Sequence, residues 1–279
     1  MQGTDATMTT VLERIANALE RLVPVTASGA DWLAYPAYVW TQGGARGVEH
    51  LEAPSLDTLK GIENQKERVV TNVARLAAGH AAHDILLWGS RGMGKSALTR
   101  AAVQAAQTVH PGAIALVQVG QDALSAVTGL FAELGKQPRR FLVFIDDLGF
   151  DEDDSLGPRL LRSWLDGGVE ARPANVRLAV TSNRRAIVAR SMNEQDDPIN
   201  TRDAVDDRLA LADRFGLSIG FHNCSQDDYL AIIKGYAEVY DLEWQPADAI
   251  EWAQRRGARS GRVAWQYIAE LAGRAGKTL

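Results

Sequence analysis

Nine consecutive residues carry the clearest chemical signal in this sequence, a glycine-rich loop that ends in lysine and serine. The loop fits the pattern G-x-x-x-x-G-K-[ST] and stands between an apolar run and a helical pattern. Glycines let backbone N–H groups face phosphates, and the N-terminus of a following helix favours negative charge. The lysine reaches the β- and γ-phosphates, and the serine hydroxyl is a ligand for Mg²⁺. We therefore expect phosphate binding by Gly89, Ser90, Arg91, Gly92, Met93, Gly94, Lys95, Ser96 and Ala97, with Ser96 also on the metal.

Two carboxylates end another apolar run, about fifty residues after the lysine of the loop. Residues 141–145 are apolar, and Asp146 and Asp147 follow them directly. Carboxylates in this position hold hydrated Mg²⁺ beside phosphates and polarise an attacking water molecule. We assign Asp146 to the metal and Asp147 to catalysis. Because Asp147 is shorter than the glutamate that many ATP hydrolases carry here, slow or regulated turnover is an alternative to fast hydrolysis.

An asparagine ends a third apolar run. Asn183 follows residues 178–181, so its amide would lie at the end of a buried strand and could orient a hydrolytic water. An asparagine in this position is also a common turn residue. Its place in the series of motifs favours the catalytic interpretation.

The elements around these residues alternate between short apolar runs and longer helical patterns, which is typical of βαβ units with a parallel sheet. The apolar runs are 85–88, 113–119, 141–145, 176–181 and 217–221, and the helical patterns are 95–108, 121–134, 157–166 and 202–213. We expect an α/β fold in which residues 53–222 form a three-layer αβα core around a five-stranded parallel sheet.

The two ends of the chain differ from this core. Residues 223–279 contain no strand-like run and predict a small all-helical lid, with helices near 226–239, 247–256 and 261–273. Residues 1–52 predict an N-terminal helix and an aromatic linker. The aromatic residues of 31–40 either pack against the main domain or form a patch that binds a partner.

Composition limits the class of protein further. The chain has 279 residues, 46% of them hydrophobic, one cysteine and a net charge of −5. This composition predicts a folded chain without an internal disulfide, and no apolar run approaches the roughly 20 residues that span a bilayer. The first residues have neither a basic start nor an apolar run, so we expect a cytoplasmic protein. The negative charge offers nucleic acid no general attraction, and DNA would need a local basic patch.

The order of these motifs resembles that of the AAA+ ATPases, a branch of the P-loop NTPases, over residues 54–279. A closer resemblance is to a bacterial family of AAA+-type ATP-binding proteins named domain of unknown function 815. That resemblance is carried by residues 181–185, 203–217 and 220–237. It implies an ATPase with ATP and Mg²⁺ as its cofactors, bound between the core and the lid.

The AAA+ resemblance also implies roles for single residues. Ile62 lies in the segment that contacts adenine, and Asn183 matches the residue called sensor 1. Arg214 is the first candidate for an arginine finger that reaches the ATP of a neighbouring subunit, and Arg208 is the second. Arg262 matches the residue called sensor 2. The resemblance therefore implies a homo-oligomer that changes the conformation of a protein partner.

DNA is an alternative partner. Residues 145–150 resemble a stretch of helicase loaders, and residues 250–279 hold six Lys or Arg against two Glu. A solvated helix face explains the same charges. A nucleotide-gated switch with little turnover is a further alternative, motivated by Asp147.

Overall fold

The computed structural model describes residues 30–149, 156–166, 172–183 and 211–279. Seven strands form one sheet in the order β2-β1-β4-β5-β6-β3-β7. The strands are β1 Ala37–Thr41, β2 Gly44–Val48, β3 Ile85–Gly89, β4 Ile114–Val119, β5 Arg140–Ile145, β6 Val176–Ser182 and β7 Leu217–Phe221. The last five correspond to the predicted strands and are all parallel, so their carboxyl ends share one edge of the sheet.

The predicted count of five strands is wrong, because an N-terminal hairpin extends the sheet. Strands β1 and β2 pair antiparallel, and β1 adds parallel to β4. Part of the predicted appendage 1–52 therefore belongs to the sheet. Three of the four aromatic side chains of residues 31–40 pack in the core, where Trp32 is 3%, Tyr38 1% and Trp40 8% exposed, whereas Tyr35 is 37% exposed. The buried guanidinium of Arg139 donates hydrogen bonds to main-chain carbonyls on both sides of this junction: those of Trp32, Tyr35 and Ile114.

Helices cover both faces of the sheet because successive strand residues alternate between the two faces. Ile85 and Leu87 join one core cluster, whereas Leu86 joins the other. The first cluster includes residues of helices α1 (Glu63–Ala77) and α2 (Lys95–Val109), and the second includes residues of α3 (Val127–Leu134) and α4 (Leu156–Asp166). The core thus has the expected three αβα layers.

One predicted helix is divided. Residues 121–134 form a 3-10 helix, Gln121–Ala126, followed by α3. Asp122 and Ser125 in the first half favour caps and turns over helix interiors, which is consistent with an α-helix that forms only over the more apolar second half.

The C-terminal residues form the predicted helical lid. Its helices are α5 (Gln226–Tyr240), α6 (Pro246–Arg255) and α7 (Gly261–Arg274). Ser225 begins α5 with a capping box closed by Asp228, as the sequence indicates. Apolar side chains of α5 and α7 continue the first core cluster, so the lid packs on the face that carries α1 and α2.

Parts of several predictions lie outside the described residues: the helix that begins at Thr10, the acidic run 151–154, Arg208 and most of the helix 202–213. Among the described residues, no helix has both the length and the apolar character needed to span a membrane.

Candidate functional site

The glycine-rich loop begins where β3 and β7 end side by side. Gly89 has a φ of 119°, and a Cβ atom there would lie 2.1 Å from the carbonyl oxygen of Phe221. Only glycine fits such a close approach of two backbones. The N–H of Ser90 donates to the same carbonyl at 2.8 Å, and the Ser90 hydroxyl donates to Oδ1 of Asn223 at 2.6 Å. The start of the loop is therefore fixed to the end of β7 and to the connection that leads into the lid.

Lys95 opens α2, and its side chain folds back over the loop. Its Nζ donates to the carbonyl oxygens of Gly89 and Ser90 at 2.8 Å each and to Oδ1 of Asn183 at 3.4 Å. Burial lowers the pKa of the Lys95 ammonium below its usual value, and the carboxylates of Asp147 and Asp146 act in the opposite direction. A buried cation surrounded by neutral oxygens is ready to bind an anion.

Hydrogen bonds join the ends of β5 and β6 to the second residue of α2. The hydroxyls of Ser96 and Thr181 donate to Oδ1 of Asp146, at 2.5 and 2.6 Å. The N–H of Asp147 donates to the hydroxyl oxygen of Thr181 at 2.8 Å, and the side-chain amide of Asn183 donates to the Asp147 carboxylate. The predicted metal residues Ser96 and Asp146 thus lie together, as do the predicted catalytic residues Asp147 and Asn183.

These oxygen atoms fit Mg²⁺, which is a hard cation bound through one or two carboxylates together with substrate phosphates. Ser96 and Asp146 supply a hydroxyl and a carboxylate within hydrogen-bond distance of each other. The described residues contain no group of three or more His, Cys, Asp or Glu side chains that could hold a metal ion by themselves. The donor set therefore suits a cation that a bound phosphate helps to hold.

The lid touches the loop at Gly92, whose carbonyl oxygen accepts the N–H of Arg262 at 3.2 Å. A Cβ atom on Gly92 would lie 2.9 Å from Oγ of Ser260 and 3.1 Å from Cβ of Arg262. Arg262 stands in the first turn of α7, and its charge acts on the pKa of Lys95 in the lowering direction. The predicted sensor 2 residue thus contacts the loop through its main chain.

A cavity of about 990 Å³ opens between the core and the lid. Ile62, which precedes α1, lines it beside the loop, and the lid contributes an aromatic wall. In this wall the ring of Trp265 lies 5.1 Å from that of Tyr236 and 5.9 Å from that of Tyr240, measured between centroids. The predicted site residues that line this cavity are Ile62, Arg91, Gly92, Met93, Gly94, Lys95, Ser96, Ala97, Asp146, Asp147, Asn183 and Arg262.

Arg214 lies elsewhere. Its Nε donates to both carboxylate oxygens of Asp166, at the end of α4, at 2.7 and 2.9 Å. Arg214 does not line the cavity of its own chain. Contact with ATP would therefore require a second subunit.

Sequence reasoning missed two contributors to the site. Thr181 bonds the Asp146 carboxylate and the main-chain N–H of Asp147. Its signal was available because extended residues 181 and 183, at and just after the end of β6, face the same side. The aromatic wall of Tyr236, Tyr240 and Trp265 has a weaker signal, since aromatic residues at helical spacing equally indicate a helix core.

Comparison with protein families identifies one match. The family described as "Protein of unknown function (DUF815)" matches residues 33–275, which include the loop, both acidic residues and the lid. Comparison with curated proteins gives no match.

Solved structures share the fold at low sequence identity. The RuvB Holliday junction branch migration motor of Thermotoga maritima is 22% identical, with a TM-score of 0.52 over 81% of this chain and 68% of its own. The Orc1 protein of Aeropyrum pernix, solved with DNA, is 17% identical, with a TM-score of 0.54 over 78% of this chain and 62% of its own. Domain III of the Thermotoga maritima replication initiation protein DnaA is 11% identical, with a TM-score of 0.50 over 78% of this chain and 87% of its own. These likenesses show an AAA+ fold.

Proposed function

We propose that this chain, which belongs to the family described as "Protein of unknown function (DUF815)", binds ATP with Mg²⁺ and hydrolyses it to ADP and phosphate between subunits of a homo-oligomer. The energy of this reaction changes the conformation of a protein partner. The observation that carries the proposal is the convergence of Lys95, Ser96, Asp146 and Asn183 at one edge of the sheet, on the wall of a single cavity.

Phosphate binding rests on the loop and on two cations. The N–H groups of the loop and the N-terminus of α2 form a site for anions. Lys95 exchanges its carbonyl partners for phosphate oxygens, and Arg262 adds a second positive charge from the lid. Burial lowers the pKa of Lys95, and a bound phosphate would act in the opposite direction, because a nearby negative charge stabilises the charged ammonium. Ile62 and the aromatic wall leave room for adenine on the apolar side of the cavity.

Ser96 and Asp146 hold Mg²⁺ in this proposal. The metal, when bound, neutralises charge that develops on the phosphates. Asp147 accepts a hydrogen bond from the attacking water, and the amide of Asn183 holds the Asp147 carboxylate. Positioning of this kind, together with electrostatic stabilisation, provides nearly all of the catalysis in phosphoryl transfer.

Arg214 completes the site of a neighbouring subunit. Its Nε shares one N–H between the two carboxylate oxygens of Asp166, which holds the guanidinium at the surface of its own subunit. Arginine fingers supplied in this way raise hydrolysis by about 10³–10⁵-fold in GTPases. Assembly would therefore control activity.

The first experiment measures nucleotide affinity with a fluorescent ATP analogue. We expect Lys95→Ala to abolish tight binding, because it removes the buried cation of the loop. Lys234→Ala is the matched control: it also removes one lysine charge, but from an exposed ion pair with Glu238 on the lid. Equal affinity in the wild type and Lys95→Ala would overturn the proposed nucleotide site.

The second experiment measures steady-state hydrolysis with Mg²⁺ over a wide range of protein concentration. Specific activity should rise with concentration, and Arg214→Ala should keep ATP binding but lose about 10²–10⁴-fold in turnover, by analogy with arginine fingers. Arg274→Ala, which removes an exposed arginine paired with Glu270, is the control. Activity that is independent of concentration and of Arg214 would exclude a finger in trans.

A nucleotide-gated switch is the second candidate function, and Asp147 favours it. The side chain of Asp147 is shorter than that of glutamate, and its carboxylate already accepts a hydrogen bond from the side-chain amide of Asn183. In such a switch, ATP occupancy sets the lid position and the assembly state, and turnover is too slow to be the output. Tight ATP binding with hydrolysis equal to a blank without protein would favour the switch over the ATPase.

DNA is a further candidate partner because the three structural neighbours are a branch migration motor, a protein solved in complex with DNA and a replication initiation protein. The lid gives this idea limited support, since four of its cations are paired with nearby acids: Lys234 with Glu238, Arg255 with Glu251, Arg274 with Glu270, and Lys277 with Asp241. Stimulation of hydrolysis by DNA that weakens as salt rises would support it. No effect of DNA at low salt would exclude it.

A further inference from the structure

Thr181 stands between the two acidic residues of the site. It is the sixth residue of β6 and only 2% exposed. Its hydroxyl donates to Oδ1 of Asp146 at 2.6 Å and accepts the N–H of Asp147 at 2.8 Å. A threonine hydroxyl has a single proton, so these two contacts define its orientation completely.

A main-chain bond reinforces the same contact. The carbonyl oxygen of Thr181 accepts the N–H of Leu148 at 2.8 Å. Residue 181 therefore holds three consecutive residues, 146–148, through two side-chain bonds and one main-chain bond. Replacing the side chain removes the first two bonds and leaves the third, so the segment remains attached to the sheet.

The hydroxyl of Thr181 determines how Asp146 is presented. Oδ1 of Asp146 accepts hydrogen bonds from Ser96 on one side and Thr181 on the other. A carboxylate held by two hydroxyl donors cannot rotate without breaking one of them. Ser96 becomes a Mg²⁺ ligand in the proposed site, so Thr181 is the donor that keeps Asp146 in place when the metal binds.

The same hydroxyl fixes the backbone of Asp147. The φ of Asp147 is 52°, in the left-handed region that residues other than glycine seldom adopt. The hydrogen bond from its N–H to Thr181 holds this conformation. With this backbone, the Asp147 carboxylate reaches the side-chain amide of Asn183. Loss of the hydroxyl would release Asp147 from the geometry that proposed catalysis needs.

We infer that Thr181 is a positioning residue that links the two acidic residues, holding the carboxylate of Asp146 for Mg²⁺ and the main chain of Asp147 for the attacking water. This inference rests on the proposed function. Partners that hold metal ligands by hydrogen bonds typically contribute about 10–100-fold to metal affinity or activity. The hydroxyl of Thr181 is such a partner, because it donates a hydrogen bond to the carboxylate of Asp146, the proposed metal ligand.

The test uses Thr181→Val, which is close in shape but has no hydroxyl, and Thr181→Ser, which keeps it. The readout is affinity for a fluorescent ATP analogue, measured with Mg²⁺ and again with EDTA. Thr99→Val is the matched control, because Thr99 is also buried but donates only within its own helix, to the carbonyl of Lys95. Affinity in EDTA checks that each variant is folded, and turnover is measured in parallel.

We expect Thr181→Val to bind the analogue normally in EDTA and to lose about tenfold or more of the gain in affinity that Mg²⁺ gives. In the turnover assay with Mg²⁺, it should accordingly raise KM and also lower kcat. Thr181→Ser should recover both properties, and Thr99→Val should match the wild type. If the wild type gains affinity with Mg²⁺ and Thr181→Val gains as much, the inference is wrong while the proposed function stands. If the wild type does not bind the analogue, the proposed function fails and the inference fails with it.

Discussion

Gly92 is the point where the glycine-rich loop meets the lid, and replacing it with alanine should disturb both stability and nucleotide binding. Its φ of 73° is unfavourable for alanine, at a cost of about 1–2 kcal/mol. The added Cβ would also press on Oγ of Ser260, which caps α7 by accepting the N–H of Val263 at 3.3 Å. Loss of such a cap costs about 1 kcal/mol. We therefore expect Gly92→Ala to reduce the free energy of unfolding by about 2–3 kcal/mol, the sum of these two costs.

Gly112→Ala is a control for the backbone cost alone. Gly112 has a φ of 76°, and a Cβ atom there would meet nothing within 4 Å. In denaturant unfolding, Gly112→Ala should lose about 1–2 kcal/mol of the free energy of unfolding, because only the backbone cost applies there. ATP affinity should fall at least tenfold for Gly92→Ala, equal to about 1.4 kcal/mol of binding energy, and stay unchanged for Gly112→Ala. Equal losses of stability with unaltered ATP affinity in both variants would refute the idea that loop and lid are in tight contact at Gly92.

Three further predictions concern other parts of the molecule. Arg139→Met should reduce the free energy of unfolding by about 2–4 kcal/mol, because three carbonyls lose a charged donor; a loss below about 1 kcal/mol in urea would contradict this. Asp166→Asn should lower ATP hydrolysis several-fold by loosening Arg214, while the exposed pair contributes less than about 1 kcal/mol to stability; unchanged turnover would show that the pair does not orient Arg214. Burial raises the pKa of Cys224 to about 11 from 9.0, so its thiolate fraction at pH 8 falls by roughly ninety-fold. Its reaction with a disulfide reagent should therefore be at least that much slower in the folded chain than in guanidinium, and similar rates would argue against a buried thiol.

The core and lid could be predicted because their signals are local. The strand Leu217–Phe221 was predicted with its exact bounds, and α2 begins at Lys95 as expected. The hairpin Ala37–Val48 could not be predicted, because β1 pairs with β4 and so depends on residues 79 positions away, as in the pair Ala37 and Leu116. Its second strand, GARGV, also has none of the apolar alternation that indicates a strand.

Much of the site could be predicted from the sequence, because its polar and charged residues come at or just after the ends of strands. Lys95, Asp146 and Asn183 stand on neighbouring parallel strands or just after them, and parallel strands bring such residues to one edge. The hydrogen bonds that Thr181 makes depend on the register of β6 against β5 and on the positive φ of Asp147, which a sequence pattern does not specify. The separation of Arg214 from the cavity likewise depends on the fold as a whole.

The connection between β7 and α5 has a mechanical consequence. It consists of four residues, 222–225, and a chain of that length spans at most about 14 Å. Its first part is attached to the loop, since Phe221 and Asn223 both bind Ser90. The connection therefore limits how far the lid can lie from the core. Because the same connection is bonded to the glycine-rich loop, any displacement of the lid would be transmitted directly to the residues proposed to hold the phosphates.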